Sequence, residues 1–396
     1  MPDFDVSILG AGAAGMMAAI EAGRRGRRVL VIDHASSPGE KIRMSGGGRC
    51  NFTNVHATAT AGRDRFLSRN PRFALSALSR YTPQMFMSLV RRYNIPYHEK
   101  TLGQLFCDNS SLEIINLLQT EMTRAGAVLS LSTTIDGVEK TDDGFRVGLS
   151  NGPATATSLI VATGGKSIPK MGATNFGYRL AEQFGLAVTD TRPALVPLTF
   201  AEQELAWMTP LAGISTTAIV SHGKAGFEEA LLFTHRGLSG PAILQISSYW
   251  REGDGISIDM LPHRDVIGML REARQATPKL AVQTVIAAHL PKRLAQVLGE
   301  RINVTTQIGD MSDKVLATVA ATLEKWALKP VGSEGYRTAE VTLGGVDTDA
   351  LDARTMEAKA VPGLFIVGEV VDVTGWLGGY NFQWAWASGW AAGQAA

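Results

Sequence analysis

Two cysteines in 396 residues, Cys50 and Cys107, are too few for a disulfide framework and are not spaced as a C-x-x-C redox or metal pair. The seven histidines show neither H-x-x-x-H nor H-E-x-x-H spacing, so no metal is expected. No stretch reaches the about 20 uninterrupted apolar residues that span a bilayer. Asp3 and Asp5 precede the first apolar run and glycines interrupt it, which is not a signal-peptide pattern. Charge of one sign is also missing: 38 basic against 37 acidic residues leave a net +1, so no global field gathers nucleic acid or an anionic membrane. Neither is expected as a partner. Repeats and low-complexity tracts are absent as well. The expectation is a cytoplasmic globular enzyme, 45% hydrophobic and 19% charged, with room for two or three domains. Arg24, Arg25, Arg27 and Arg28 form a local basic run that reads as a solvated helix end.

What is present begins at once. Asp5-Val-Ser-Ile-Leu-Gly10-Ala11-Gly12-Ala13-Ala14-Gly15 leads through a helix expected over Ala14–Gly26 to the strand Val29–Ile32 and the acid Asp33, followed by His34. This G-x-G-x-x-G turn has the strand before it, the helix after it and the acid about 20 residues on that mark a dinucleotide grip. Gly10 serves the tight turn, Gly12 the close backbone approach to a pyrophosphate, Gly15 the helix packing, and Asp33 a ribose hydroxyl.

Gly39–Asn54, containing Ser45-Gly46-Gly47-Gly48-Arg49-Cys50-Asn51, is too rich in glycine to read as helix or strand. Helices are expected over Phe73–Arg92, interrupted at Pro83, and over Ser111–Ala125. A β-meander is expected over Val128–Ser132, Gly137–Lys140 and Phe145–Leu149. A buried strand ends at Thr163-Gly164-Gly165, and Phe176–Phe184 reads as a helix. From Thr191 prolines and short strands (Ala218–Ser221, Ile256–Met260) suggest an inserted β-rich domain. Its helical middle is expected at Asp265–Arg274, Lys279–Leu290, Lys292–Leu298 and Asp313–Trp326. The chain returns through Arg337–Val341 and Leu364–Val367 to a last helix near Phe382.

That last segment looks built for a cofactor. Gly368-Glu369 closes a strand, and Leu377-Gly378-Gly379-Tyr380-Asn381-Phe382-Gln383 opens a helix whose amides can stabilise negative charge on the N1/O2 side of a reduced flavin. The same glycines would equally serve a helix that only docks on the core. His235, between Thr234 and Arg236, reads as a substrate acid/base or as a satisfied structural histidine. Arg43 and Arg49 read as anion contacts or as surface charge. Cys50, next to Arg49, reads as small buried filler beside the cofactor loop, and less well as an active thiol. Most of Trp376, Trp384, Trp386 and Trp390 read as core.

The chain resembles the BaiN-like (YhiN-like) family of FAD-dependent, NAD(P)-linked oxidoreductases. The resemblance rests on the turn above and on Gly39-Glu-Lys41-Ile-Arg-Met-Ser45-Gly-Gly-Gly-Arg49-Cys-Asn51-Phe-Thr-Asn54. It extends to Ala162-Thr163-Gly164-Gly165-Lys166, Phe233–Pro241, Thr342-Leu-Gly344-Gly345-Val346 and Gly378–Ala385, in order along nearly the whole chain. It implies an α/β fold with an α+β insertion. A Rossmann-like FAD-binding domain is drawn from both termini (1–190 and 340–396). A β-barrel-like domain (191–262 and 325–339) interrupts it and carries a helical subdomain (263–324). It implies that Ile135 meets the adenine through its backbone. Lys41, Ser45, Gly46, Gly47, Arg49 and Asn51 would line the phosphate and isoalloxazine region. Gly368, Glu369 and the amides of Asn381–Gln383 would hold ribityl and pyrimidine groups, and His34, Cys50, Thr163, Gly164 and Gly379 would also contact the cofactor. Glu369 stands where the related pattern more often has Asp.

The expected activity is hydride exchange between flavin N5 and a small organic substrate, with NAD(P)H as a visiting reductant because no second G-x-G-x-x-G is visible. Enone-type reductase and amine oxidase are both open. A rival is a flavin-containing binding or regulatory protein, such as a nucleic-acid modification factor, with Arg264, Arg271, Arg274, Lys279, Lys292, Arg293 and Arg301 as a mildly basic face. A plain NAD-dependent dehydrogenase is a third.

Overall fold

A computed structural model of the chain describes residues 2–302 and 306–396. In the first sheet Val29–Ile32 is apolar and buried throughout, and Phe4–Leu9 and Ala154–Val161 are buried along their C-terminal halves, because helices or further chain cover both faces there. Val128–Ser130, Val29–Ile32, Phe4–Leu9 and Ala154–Val161 lie side by side and parallel. The eight-residue strand Ala154–Val161 has two neighbours on its far side: Ala154–Ala156 pairs antiparallel with Val147–Phe145, and Leu159–Val161 pairs parallel with Leu364–Ile366. The sheet is thus completed by residues from the far end of the chain.

Two helices cover it closely. Gly389 and Gly393 of the C-terminal helix Tyr380–Gly393 meet the Ala14 and Ala18 carbonyls of the first helix, Ala13–Arg24; a Cβ on Gly389 would overlap the Ala14 oxygen, and one on Gly393 would sit 2.6 Å from that of Ala18. Trp384 and Trp386, buried on the same helix, satisfy their indole N–H groups on the Gly368 and Phe52 carbonyls at 3.0 and 2.8 Å, and Trp386 stacks on Phe86. Trp376 and Trp390 are only partly buried.

The Arg24–Arg28 run ends the first helix and is exposed, as expected, and it is also paired: Arg24 bridges the buried carboxylates of Glu21 and Glu121, Arg25 donates to the Gly393 and Ala396 carbonyls, and Arg28 pairs with Asp5. Other expectations change. Gly39–Asn54 is not all loop. Glu40–Met44 is a short helix and Asn51–Asn54 a strand, whose partner Gln104–Cys107 lies some 50 residues on. Val128–Ser130 is the parallel edge of the sheet and not part of the meander, which consists of Ile135–Thr141, Gly144–Leu149 and Ala154–Val161.

The chain divides into two units, Met1–Arg192 with Val341–Ala396, and Pro193–Glu340. The second unit is an antiparallel sheet of seven strands, ordered Trp326–Leu328, Ile256–Asp259, Ser215–His222, Ala225–Thr234, Gly237–Ser239, Leu198–Thr199, Gly332–Ser333. The end strands do not pair with each other among the described residues. Besides Glu202–Met208 and Pro241–Ser247, its helices are Val266–Ala276, Val282–Ile286, Lys292–Arg301 and Asp313–Glu324, of which the first and last are capped by Asp265 and Ser312. The second is much shorter than the expected Lys279–Leu290, lying between Pro278 and Pro291. No helix among the described residues is long and apolar enough to cross a membrane.

Candidate functional site

The glycines of the first turn answer different physical demands. Gly10, at φ +109°, has the Ala162 carbonyl oxygen 2.5 Å from where a Cβ would stand, and a Cβ on Gly15 would overlap the Gly10 carbonyl. Gly12 faces open space. It also caps the helix with no side-chain hydrogen bond, so the first-turn amides of Ala13, Ala14 and Gly15 have no intrahelical acceptor. Asp33 accepts from the Ala11 and Ala35 amides at 2.7 and 2.8 Å, one on each oxygen, so it ties the turn to the second strand and keeps two lone pairs for a ligand. His34 lies 3.5 Å from Asp33 and is exposed. The chain before Ile135 is bonded to Asp33 as well: Asp33 N–H donates to Ser130, and Thr133 N–H to the Asp33 carbonyl. Thr163 carries an enclosed hydroxyl with no partner among the described residues, next to Gly164.

Within the glycine loop, Gly46, Gly47 and Gly48 are all left-handed, at φ of +58°, +65° and +85°. Ser45 donates to the Ile42 carbonyl, and Arg49 is exposed. Cys50 is fully buried and burial pushes its thiol up; Cys107, which the strand pairing brings close, is pushed up to about 12 for the same reason. The Asn51 amide, oriented to suit its neighbours, donates to the Thr53 and Leu105 carbonyls and accepts from Gly379 N–H. Lys41 donates to Glu369 and Ser167, both at 2.7 Å. The other Glu369 oxygen accepts from Ser167 Oγ and from Thr342 N–H, and Thr342 Oγ1 accepts from the Lys166 and Ser167 amides.

Ser388 and Trp384 hold Gly368 by its N–H and its carbonyl. The C-terminal helix starts at Tyr380, two residues before the expected point, with Gly379 as an uncapped N-cap at φ +95°. Gln383 N–H therefore already donates to Gly379, and its side chain is spent on Thr53 and Tyr81. The open amides are those of Tyr380, Asn381 and Phe382, one position earlier than expected. The Asn381 side chain closes the loop back to Gly375. His235 stands in an exposed turn of the second unit.

Ala14 and Ala18 face Gly389 and Gly393 in the same order, so the two helices run parallel. Their uncapped N-termini point the same way, and the second starts eight residues, about 12 Å, beyond the first. Two positive helix ends at that spacing, with the open Gly12 cradle and the unspent Thr163 hydroxyl, fit an extended dinucleotide that carries negative charge at two points.

The HI0933-like protein Rossmann domain family matches residues 4–395. The chain belongs to that family. It is 50% identical over 400 residues to "Ribosomal RNA dihydrouridine synthase" of Escherichia coli (strain K12), covering 100% of this chain and 98% of the relative. It is 28% identical to "3-dehydro-bile acid delta(4,6)-reductase" of Clostridium scindens, covering 99% and 98%. Among solved structures, the open conformation of a flavocytochrome c3 fumarate reductase shares the fold: TM-score 0.52 at 16% identity, over 99% of this chain and 78% of that one. Family and fold agree with the expected Rossmann-type flavoprotein, with FAD as its cofactor and oxidoreductases as its class.

Sequence reasoning did not name Ser167 and named Thr342 only within a family signature, with no site role, yet both position Lys41 and Glu369. The signal was present in Gly164-Gly165-Lys166 and Thr342–Val346, since a Cβ on Gly165 would stand 2.5 Å from both Glu369 Oε1 and Thr342 Oγ1.

Proposed function

We propose that this protein is an FAD-dependent reductase that adds hydrogen across a carbon–carbon double bond conjugated to a carbonyl, and that its substrate is a uridine in ribosomal RNA. The observation that carries the reading is 50% identity along the whole chain to a protein named for making dihydrouridine in ribosomal RNA. Dihydrouridine differs from uridine by two hydrogens across C5–C6, the bond next to the C4 carbonyl. The bile-acid relative is named for reducing carbon–carbon double bonds in a ketone-bearing substrate. Both names favour the reductase over the amine oxidase that the sequence left open, and the first restores the nucleic-acid partner that net charge had set aside.

FAD, when bound, supplies the hydride and is recharged by NADH or NADPH. The protein's part is to bind and orient. The amides at Gly12–Gly15 take the pyrophosphate, and the free lone pairs of Asp33 take a ribose hydroxyl. The chain at Ile135 borders the adenine, while the Ser45–Asn51 loop with Thr163 and Gly164 lines the middle. The amides of Tyr380, Asn381 and Phe382 oppose charge that builds on the pyrimidine edge. Glu369 and Ser167 fix the Lys41 ammonium beside that path.

The test is to incubate the FAD-loaded protein with NADPH or NADH and ribosomal RNA from cells lacking the enzyme, then digest the RNA and weigh the nucleosides. The expected result is a uridine heavier by two mass units. RNA left unchanged by a protein whose flavin is reduced by amines would replace the reading with an oxidase.

A further inference from the structure

Charge is balanced over the chain but not along it. Residues 41–107 hold eleven of the 38 basic residues and two of the 37 acidic ones, a balance of +9, which leaves −8 for everything else. A net +1 therefore conceals an uneven chain: Lys41, Arg43 and Arg69 sit against acids outside the segment, Glu369, Glu40 and Asp347, and the remaining cations steer a polyanion toward it.

The same segment flanks the open helix start at Tyr380 on both sides. On one side, Gln104 packs against Gly378, and the strand it begins, Gln104–Cys107, pairs with Asn51–Asn54 and Tyr97–Glu99. There the His98 ring, about half exposed and held at Nδ1 by the Asp108 carboxylate at 2.6 Å, stacks on Phe106 at 6.2 Å, and the Lys100 ammonium lies 5.5 Å from the Phe106 ring. On the other side, Phe66–Leu67 pairs with Thr374–Gly375, and the Arg65 guanidinium lies 5.6 and 5.8 Å from the Trp376 and Tyr380 rings. Arg63 and Lys100 are exposed and make no ion pair among the described residues, and Arg43, 35% exposed, lies 3.5 Å from Glu40 on its own short helix.

We infer that this flank is the RNA-docking face: it takes an unpaired segment, with phosphates on Arg43, Arg63 and Lys100 and a base on the exposed His98 ring, so that the neighbouring uracil reaches the Tyr380 helix start. Cations along a backbone track with an aromatic platform are what an unpaired strand requires, because its bases are free to stack and its phosphates to pair. The inference rests on the proposed RNA substrate. It also moves the site away from Arg264–Arg301, the mildly basic face of the second unit.

The probe is a fluorescein-labelled 20-nucleotide poly-uridine strand, titrated by anisotropy against FAD-loaded protein across a salt series, with flavin absorbance confirming that each variant is folded. The triple variant Arg43→Ala/Arg63→Ala/Lys100→Ala should bind at least tenfold more weakly at about 0.1 M salt, with a log–log salt slope shallower by roughly 2. Its charge-matched counterpart Arg264→Ala/Lys279→Ala/Lys292→Ala should match the unaltered protein. His98→Ala should weaken binding several-fold at an unchanged slope. No binding by the unaltered protein, or equal losses in both triple variants, overturns the face. The substrate reading is separable: dihydrouridine formation by an enzyme whose first triple variant still binds the strand removes the face alone. Selective loss of binding in a protein that makes no dihydrouridine removes the substrate alone.

Discussion

Gly12 and Gly379 occupy the same place in two helices, yet they are glycine for opposite reasons. Each is an uncapped N-cap that leaves first-turn amides open. At Gly12 a side chain would meet nothing, so what fills the space must come from outside the protein. At Gly379 a Cβ would overlap the Thr53 carbonyl at φ +95°, so the fold itself demands the glycine. One position is kept empty for a ligand, and the other is crowded by protein that holds the second helix start in place. A glycine before a helix is thus an ambiguous sign until the neighbouring backbone is known.

The sharpest way to break that contrast is a set of three alanine variants. Gly15→Ala, which drives a Cβ into the Gly10 carbonyl, should cost about 3 kcal/mol or more of stability and lose FAD with it. Gly379→Ala should cost about 1–3 kcal/mol from its left-handed backbone and the Thr53 overlap. Gly12→Ala should leave the melting temperature of the FAD-free protein unchanged while weakening FAD at least tenfold by blocking the close approach. Melting curves with and without FAD, beside a flavin titration, separate the three. A Gly12→Ala protein as unstable as Gly15→Ala would end the distinction.

These positions were legible because their constraint is local: Gly10, Gly12 and Gly15 lie within six residues, between a strand and a helix that pattern alone reveals. The Lys41–Glu369 pair was not, since its members stand 328 residues apart and join only when the C-terminal strand completes the sheet. The strand at Asn51–Asn54 was lost for the same reason: its glycine-rich surroundings were visible, but its partner Gln104–Cys107 was not. Gln383 was misjudged by a shift of helix start from Phe382 to Tyr380, which moves each open amide back by one residue.

The next smaller effect belongs to that distant pair. Lys41 and Glu369 are 32% and 18% exposed, so water screens the pair only in part. Glu369→Gln should cost about 1–2 kcal/mol, mostly because it leaves the Lys41 ammonium without its carboxylate. Lys41→Met in the same chain should recover part of that loss, and a double-mutant cycle on unfolding midpoints reads the coupling. Additive losses would mean that the pair does not act as a unit, and that Ser167 and Thr342 hold the loop without it.

The smallest expected effect lies in the loop between the two helix starts. Arg49 precedes Cys50 in sequence, which would favour a thiolate if both side chains shared one environment. They do not: Arg49 is exposed, Cys50 is fully buried, and burial raises the thiol above its ordinary value of 9.0. A raised thiol keeps its proton in the folded state, so its contribution to stability is complete below about pH 9 and fades only as the pH climbs beyond that. Native protein at pH 8 should therefore leave a disulfide reagent such as DTNB unconsumed over minutes, and should release two thiols once denatured. One thiol reacting in the native protein at the rate of a free cysteine would mean that Arg49 does reach Cys50. The crowded side of the loop would then be as open as Gly12.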